Sequence, residues 1–266
     1  MGIDLEALFK TIGPMIGGNV TGDEAGGVFC SLMRSLVTFD YAVIFAYRGN
    51  ERPLDIYSTF TPEEHVVFVS LYQAGPFLLD PFYHAAREPK PGVWRMRELA
   101  PDRFFSSEYF RSYYTQTGLA EEIGFFVALG EGVTVVLSLM RRERSGAFST
   151  AEFALLRKAE PLVAGLVRHA WPDLRGRFDA ALARRKKGGR KSAHPAADRV
   201  WRSLNLTQRE ASIVELVLQG HSSESIGLRL GISTGTVKVH RRNVYRKLGI
   251  SSQTQLLSIY LRKLGQ

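Results

Sequence analysis

The hydrophobic pattern of this chain is most regular across Leu206–Leu248, where three helix signatures follow one another. In the first of them, Thr207 and Glu210 have the spacing of a capping box, in which each side chain satisfies an unpaired backbone N–H. Apolar residues then recur at helical intervals as far as Gly220, a residue suited to a left-handed helix end. The pattern therefore predicts a well-delimited helix.

Two further helices are predicted directly after it. Ser222 or Ser223 can cap the second, which is expected to end at Gly231. Ser233 can cap the third, which is expected to end near Leu248–Gly249. Only a few residues separate these two helices, as in a helix-turn-helix (HTH).

The third predicted helix has two different faces. Val237, Val244 and Leu248 fall on one side at 100° per residue, and we expect that side to be buried. The opposite side carries small or basic residues, namely Gly235, Lys238, Val239, Arg242 and Arg246. A basic helix face is often only solvated, but a stripe of this kind also fits the DNA major groove. Its position after a capped helix and a tight turn favours a recognition helix.

Residues 1–173 mix the periodicities of strands and helices. Strands are predicted at Tyr41–Tyr47, Leu54–Ser58, Val93–Arg95, Phe125–Leu129 and Val133–Met140. Helices are predicted at Asp4–Ile12, Asp23–Val37, from Pro62 to Gly75–Pro76, at Phe104–Tyr114 and from Ser149 to about Trp171. Strands in hairpins with helices at either end predict an α+β domain built on one mostly antiparallel sheet.

Charge divides the chain in the same way. The formal net charge is +9, but residues 197–266 and residues 174–191 each carry about +7, which leaves the remainder at about −5. We expect residues 174–198 to be a basic linker, between a sensing domain at 1–173 and an all-α, four-helix HTH domain at 199–266. The basic run Arg184–Lys187, with Arg190 and Lys191, is either a solvated segment or a phosphate contact, and both interpretations stay open.

Several classes of protein are disfavoured by what the sequence lacks. It has no apolar run long enough to span a membrane and no secretory signal, which predicts a cytoplasmic protein without a membrane partner. Its one cysteine, Cys30, excludes an internal disulfide and a cysteine-based zinc cluster. Phosphate-binding loops, H-E-x-x-H and G-x-S-x-G motifs do not occur, so we expect no catalytic residues, no metal, no cofactor and no enzyme activity.

The C-terminal motifs resemble the DNA-binding domain of the LuxR family of bacterial transcription regulators. The matching residues are Leu206, Thr207, Arg209, Glu210, Gly220, Ser222, Ile226, Leu230, Ile232, Ser233, Thr236, Val237, Lys238, His240, Asn243, Lys247, Leu248 and Gly249. They cover about the last quarter of the chain. One departure is Gly227, where the family usually has alanine.

The resemblance implies a sequence-specific DNA-binding regulator and a set of contact residues. Base edges would be read by Lys238, Val239, Arg242 and Arg246, and phosphates would be held by Thr234, Thr236, Asn243 and Lys247, with Ser233 as a further DNA-binding residue. The last helix would pair two copies into a homodimer through Leu256, Leu257, Tyr260, Leu261 and Leu264. The implied partners are double-stranded DNA, a second copy of the chain and a small-molecule effector, with RNA polymerase as a further candidate.

The N-terminal part is similar in its spacing to the autoinducer-binding domains of the same family, which implies a PAS/GAF-like antiparallel sheet with flanking helices. The similarity rests on Phe68, Tyr72, Asp80–Pro81, Trp94 and Gly124, with Phe68 standing where the family has tryptophan. The candidate ligand-binding residues are Phe68, Tyr72, Asp80, Trp94, Phe105, Tyr113 and Phe126. The aromatic residues among them are either a pocket or ordinary core.

Asp80 lies among apolar residues, where an unpaired carboxylate would be costly. Its hydrogen-bond donor is therefore either in the protein or on a ligand. Three functions compete on this basis. The first is a regulator controlled by a small molecule, the second is a regulator controlled by a protein partner or by its own concentration, and the least favoured is an enzyme.

Overall fold

The computed structural model describes residues 5–18, 20, 22–88, 90–187, 200, 201 and 203–264. Its N-terminal part is built on one antiparallel sheet of five strands in the order β2-β1-β5-β4-β3. The strands are β1 (Tyr41–Arg48), β2 (Leu54–Ser58), β3 (Gly92–Arg95), β4 (Leu119–Gly130) and β5 (Val133–Arg142). All five predicted strands are confirmed, although β4 begins six residues earlier than the pattern indicated, since the prediction started it at Phe125.

Helices cover both faces of the sheet. The first face is covered by α1 (Leu5–Ile16), α2 (Asp23–Leu36), α7 (Thr150–Ala170) and α8 (Leu174–Lys187). The second face is covered by chain between β2 and β4, which includes α3 (Pro62–His65), a π-helical segment (Val66–Leu71), α4 (Pro81–Arg87), α5 (Met96–Leu99) and α6 (Thr115–Thr117). Because side chains alternate along a strand, Ile44 of β1 packs into the first layer while Val43 and Phe45 pack into the second.

Three predictions in this part are wrong. The first helix does not end at Ile12, because α1 continues through Pro14 and buries Met15 completely, and this burial offsets the cost of a proline within the helix. Phe104–Tyr114 is not one helix either. It begins with a 3₁₀ turn (Phe104–Ser106). A second helical segment then starts at Ser107, whose Oγ accepts the Phe110 N–H at 3.1 Å, and it continues as a π-helical segment (Phe110–Tyr114).

The third concerns the basic linker, whose first half is the helix α8. Leu174 and Phe178 of this helix are buried in the sheet's core, four residues apart on one helix face. Arg48 lies over the Phe178 ring at 4.8 Å and pairs with Asp179 at 2.8 Å. Residues 188–199, which include Arg190 and Lys191, are outside the described residues, and the predicted domain boundaries stay predictions.

The C-terminal part is helical, as predicted. It comprises α9 (Gln208–Gln219), α10 (Ser223–Leu230), α11 (Thr234–Leu248) and α12 (Gln253–Leu264). The caps are those expected from sequence, with a complete Thr207–Glu210 box, Ser222 and Ser233 accepting backbone N–H groups, and left-handed glycines at 220, 231 and 249. Of the two serines proposed for α10, Ser222 is the cap.

Gly227 is explained by packing. A Cβ at this position would lie 2.7 Å from the carbonyl oxygen of Ile232, closer than such atoms approach. The same turn is closed by the Ile232 N–H, which donates to the Gly227 carbonyl at 3.0 Å. Glycine therefore allows α10 and the turn before α11 to approach closely here.

None of the helices in the described residues combines the length and apolar character needed to cross a bilayer.

Candidate DNA interface and effector cavity

Helix α11 presents its polar face outward. Val237 and Val244 are buried beneath it, as the helical wheel predicted. On the outer side Lys238, Val239, Arg242 and Arg246 are all exposed, as are Ser233, Thr234, Thr236 and Lys247, while Asn243 is half-buried. The arrangement leaves a cationic helix surface facing solvent, with Val239 as its apolar centre.

A buried carboxylate anchors this helix to α9. Lys247 Nζ lies 2.7 Å from Glu210 Oε2, and Glu210 also accepts the Thr207 backbone N–H at 3.0 Å. Burial by itself would raise the pKa of Glu210, but the hydrogen bonds from Lys247 and Thr207 lower it. Lys247 is thus held by the HTH core, and its predicted contact with phosphate, which would compete with this ion pair, stays a prediction.

Two more basic residues brace the fold. Arg209 donates to the Leu230 carbonyl at 2.9 Å, which ties α9 to the end of α10. Arg241 donates to Ser223 Oγ at 3.3 Å, which ties α11 to the start of α10. The HTH is therefore held rigid by residues that point away from the exposed face.

A small cavity lies between the second face of the sheet and the chain that covers it. Its volume is about 30 Å³, which is room for a water molecule or two. Of the seven candidate ligand-binding residues, Phe68, Tyr72 and Asp80 line it. Both oxygens of Asp80 have protein donors, because the Phe82 N–H donates to Oδ1 at 2.8 Å and the Tyr72 hydroxyl donates to Oδ2 at 2.7 Å. Asp80 is also the N-cap of α4.

The sequence-based prediction missed a second buried acid in the cavity, Glu122. It accepts a hydrogen bond from the Tyr114 hydroxyl at 2.6 Å. Burial, together with the nearby Asp80 charge, raises the pKa of Glu122 to about 7 although hydrogen bonds from Tyr114 and Ser138 lower it. Burial likewise raises the pKa of Asp80 to about 6. In the sequence Glu122 stands just before the apolar run Phe125–Leu129. Because the predicted strand began at Phe125, Glu122 was not assigned to the sheet.

Three of the predicted ligand residues lie outside the cavity. Phe82 lines the cavity and packs edge-on against Phe126 with ring centroids 5.1 Å apart, but neither Phe126 nor Trp94 lines it. The Trp94 indole N–H instead donates to the Lys90 carbonyl at 3.0 Å at the sheet edge. Phe105 is 49% exposed. The side chain of Tyr113 is outside what the structure describes.

Phe105 belongs to a neighbouring apolar groove of about 230 Å³. The groove and the cavity share Tyr114, Leu119 and Glu122 as lining residues. The Tyr114–Glu122 hydrogen bond therefore lies where the small cavity adjoins the larger apolar groove.

The residues predicted for dimerisation are already covered within the single chain. Leu256, Leu257, Tyr260 and Leu264 are buried, and Leu261 is half-buried. Tyr260 stacks on Trp201 with ring centroids 5.0 Å apart, and Leu264 packs against the backbone at Gly75 of the N-terminal part. A dimer through this face requires that α12 first become exposed, and dimerisation stays a prediction.

The family model described as bacterial regulatory proteins, luxR family, matches residues 204–260. An HTH-type transcriptional regulator in the exeN 3' region of Aeromonas salmonicida is 34% identical over 186 residues, which is 70% of this chain and 94% of that protein. An HTH-type transcriptional regulator of Mycobacterium bovis is 39% identical over 85 residues, but these are only 9% of that protein.

Among solved structures, the LBD domain of VqsR from Pseudomonas aeruginosa is similar over 64% of this chain and 97% of that one, with a TM-score of 0.52 and 21% identity. At this identity the similarity supports the fold of the N-terminal part alone. The similarity to the Aeromonas HTH-type regulator extends over most of both chains. The chain therefore belongs to the LuxR family of bacterial regulatory proteins and is a DNA-binding transcription regulator rather than an enzyme.

Proposed function

We propose that this regulator binds a specific DNA sequence as a homodimer, and that a small molecule bound in the N-terminal domain modulates that binding. The observation that carries the proposal is the cavity lined by Asp80 and Glu122, in an N-terminal part joined to an HTH with a solvent-facing basic helix. Such a dimer would act in the cytoplasm, where RNA polymerase is the further partner that the family resemblance implies.

The DNA-reading role of α11 predicts a selective loss in one variant. Arg242→Ala should weaken binding to the preferred sequence about 5- to 100-fold, because a bidentate arginine–base contact contributes about 1–3 kcal/mol of discrimination. The preferred sequence is first selected from a random duplex library with the wild-type protein. Affinities are then measured by fluorescence anisotropy at one fixed salt concentration.

A matched control is Arg262→Ala, which removes an exposed arginine from α12 rather than from α11. We expect it to change affinity little and to leave sequence preference intact. Equal affinity and preference in Arg242→Ala and the wild type would contradict the proposed reading face.

Binding of a small-molecule effector is tested by measuring the thermal unfolding of the protein in the presence of each member of a metabolite library. A ligand present at 100 times its Kd should stabilise the folded protein by about 2.7 kcal/mol. In Asp80→Asn that shift should shrink while the unliganded protein still unfolds cooperatively. A shift that is identical in the wild type and in Asp80→Asn would place the ligand elsewhere.

One observation favours the competing function, a regulator controlled by a protein partner or by concentration. The cavity's volume of about 30 Å³ is far below that of ligand pockets, which is about 300–1,000 Å³. A small-molecule effector must therefore open it toward the adjoining groove. No response to a broad library, together with DNA binding that depends only on protein concentration, would support this alternative.

A further inference from the structure

The HTH contacts the N-terminal domain through two hydrogen bonds, each donated by a backbone N–H. The Arg103 N–H donates to the Gly220 carbonyl at 2.9 Å, and the Ser222 N–H donates to Asp102 Oδ1 at 3.0 Å. The contact is close, since a Cβ on Gly220 would lie 2.6 Å from Phe104 Cα. These bonds join a loop of the sensing domain to the turn between α9 and α10.

Asp102 carries a negative charge at this contact. Although partial burial would raise its pKa, hydrogen bonds from the Ser222 hydroxyl and N–H lower it. A carboxylate is favourable at a helix N-terminus because of the unpaired N–H groups there. The contact thus adds an ionised acid of the sensing domain to the first turn of α10.

The same loop lies beside the start of the recognition helix. Asp102 and Ser106 line one wall of a cleft of about 530 Å³, and Thr234, Lys238 and Arg241 line the other. A helix in the major groove has DNA backbone on both sides, since the groove is about 12 Å wide. A phosphate strand passing Thr234 and Lys238 would enter this cleft, which the loop bounds on its other side and where Asp102 carries a negative charge.

The docked position also covers α12. Leu264 packs against Gly75, and burial raises the pKa of Tyr260, which the nearby Glu215 and Tyr83 raise further. The helix predicted to pair two copies is therefore closed off in the arrangement that narrows access to α11.

The loop further connects to the cavity. Phe104, which follows Asp102 and Arg103 in the chain, is fully buried and packs edge-on against Tyr114 at 6.0 Å between ring centroids. Tyr114 in turn donates to Glu122. A rearrangement of the Tyr114–Glu122 pair can therefore move Asp102 and Arg103 through the packed rings of Tyr114 and Phe104.

We propose that Asp102 and Arg103 form a latch that holds the HTH in a DNA-incompetent arrangement, and that its release permits DNA binding. The proposal rests on the proposed sequence-specific DNA binding and does not depend on a small molecule. If only the released fraction of molecules binds DNA, the apparent Kd is the intrinsic Kd divided by that released fraction.

The test measures DNA affinity in variants of the full chain. Asp102→Ala removes both the charge and the hydrogen-bond acceptor, and we expect it to tighten binding to the selected sequence about 5- to 10-fold without ligand. Asp102→Asn keeps an acceptor oxygen and should give a smaller gain. Asp173→Ala is the matched control, because Asp173 also accepts a backbone N–H at a helix start, from Gly176 of α8 at 3.0 Å, outside the HTH contact.

Hydrogen exchange gives a readout independent of DNA. The Ser222 amide should exchange faster in Asp102→Ala than in the wild type, and faster in the wild type once DNA is bound. Equal DNA affinity in Asp102→Ala, Asp173→Ala and the wild type would overturn the latch alone. Absence of sequence-selective binding in every variant would overturn the proposed function and the latch with it.

Discussion

Replacing Trp201 with alanine is expected to destabilise the HTH domain strongly. The Trp201 side chain is fully buried and stacks on Tyr260 of α12 with an interplanar angle of 18°. Truncating a buried tryptophan or phenylalanine costs about 3–5 kcal/mol, through lost burial and the cavity left behind. A domain of this size has a total stability of about 5–15 kcal/mol, so the loss is a large part of it.

Urea unfolding followed by far-UV circular dichroism measures this effect. Fluorescence is less suitable, because Trp201 is itself one of the three tryptophans. The matched control is Leu228→Ala on α10, whose side chain is 81% exposed and should change stability by no more than about 0.5 kcal/mol. If Trp201→Ala were as stable as Leu228→Ala, α12 would not be held by this stack.

Glu122→Gln is expected to stabilise the protein at pH 8 but not at pH 4.5. Because the folded pKa of Glu122 is raised to about 7, the folded state keeps a proton that the unfolded state loses. The stability from this group is therefore present below pH 4.5 and is lost as the pH rises through 7. Glutamine is neutral at every pH and still offers an oxygen to the Tyr114 hydroxyl, so the gain at pH 8 should be on the order of 3 kcal/mol.

The measurement is the difference in unfolding free energy between the variant and the wild type at pH 4.5, 6, 7 and 8. His84 and His221, whose pKa values burial lowers to about 4, titrate in both proteins and cancel in the difference. Glu121→Gln is the neighbouring control. It breaks the ion pair with Arg95 and should destabilise at pH 8, the opposite sign. A Glu122→Gln difference that does not vary with pH would show that this carboxyl is not held protonated.

The helices of the HTH could be delimited from sequence because their signals are local. Thr207, Ser222 and Ser233 each accept the N–H three residues further along the chain, and Gly220 adopts a left-handed conformation with φ of 95°. Such interactions depend on neighbours in the chain and not on the fold. The exposed side of α11 followed from the same helical periodicity.

The effector cavity could be predicted only in part. Spacing brought Phe68, Tyr72 and Asp80 together, but it could not show that Trp94 lies outside the cavity that these residues line. Nor could it show that Glu122 faces Asp80, because that depends on how β4 is aligned with its neighbours. Register and the filling of space are properties of the packed sheet.

By itself the sequence determined the helix-turn-helix, the five strands and the basic face of α11, since each follows from short-range periodicity and capping. Only the tertiary structure decided that α1 continues past Pro14, where Met15 is buried, and that the first half of the basic segment is a helix, where Phe178 is buried. It also decided that Asp102 meets Ser222. In each case the stabilising contact joins residues far apart in the chain, and burial at that contact outweighs the local preference.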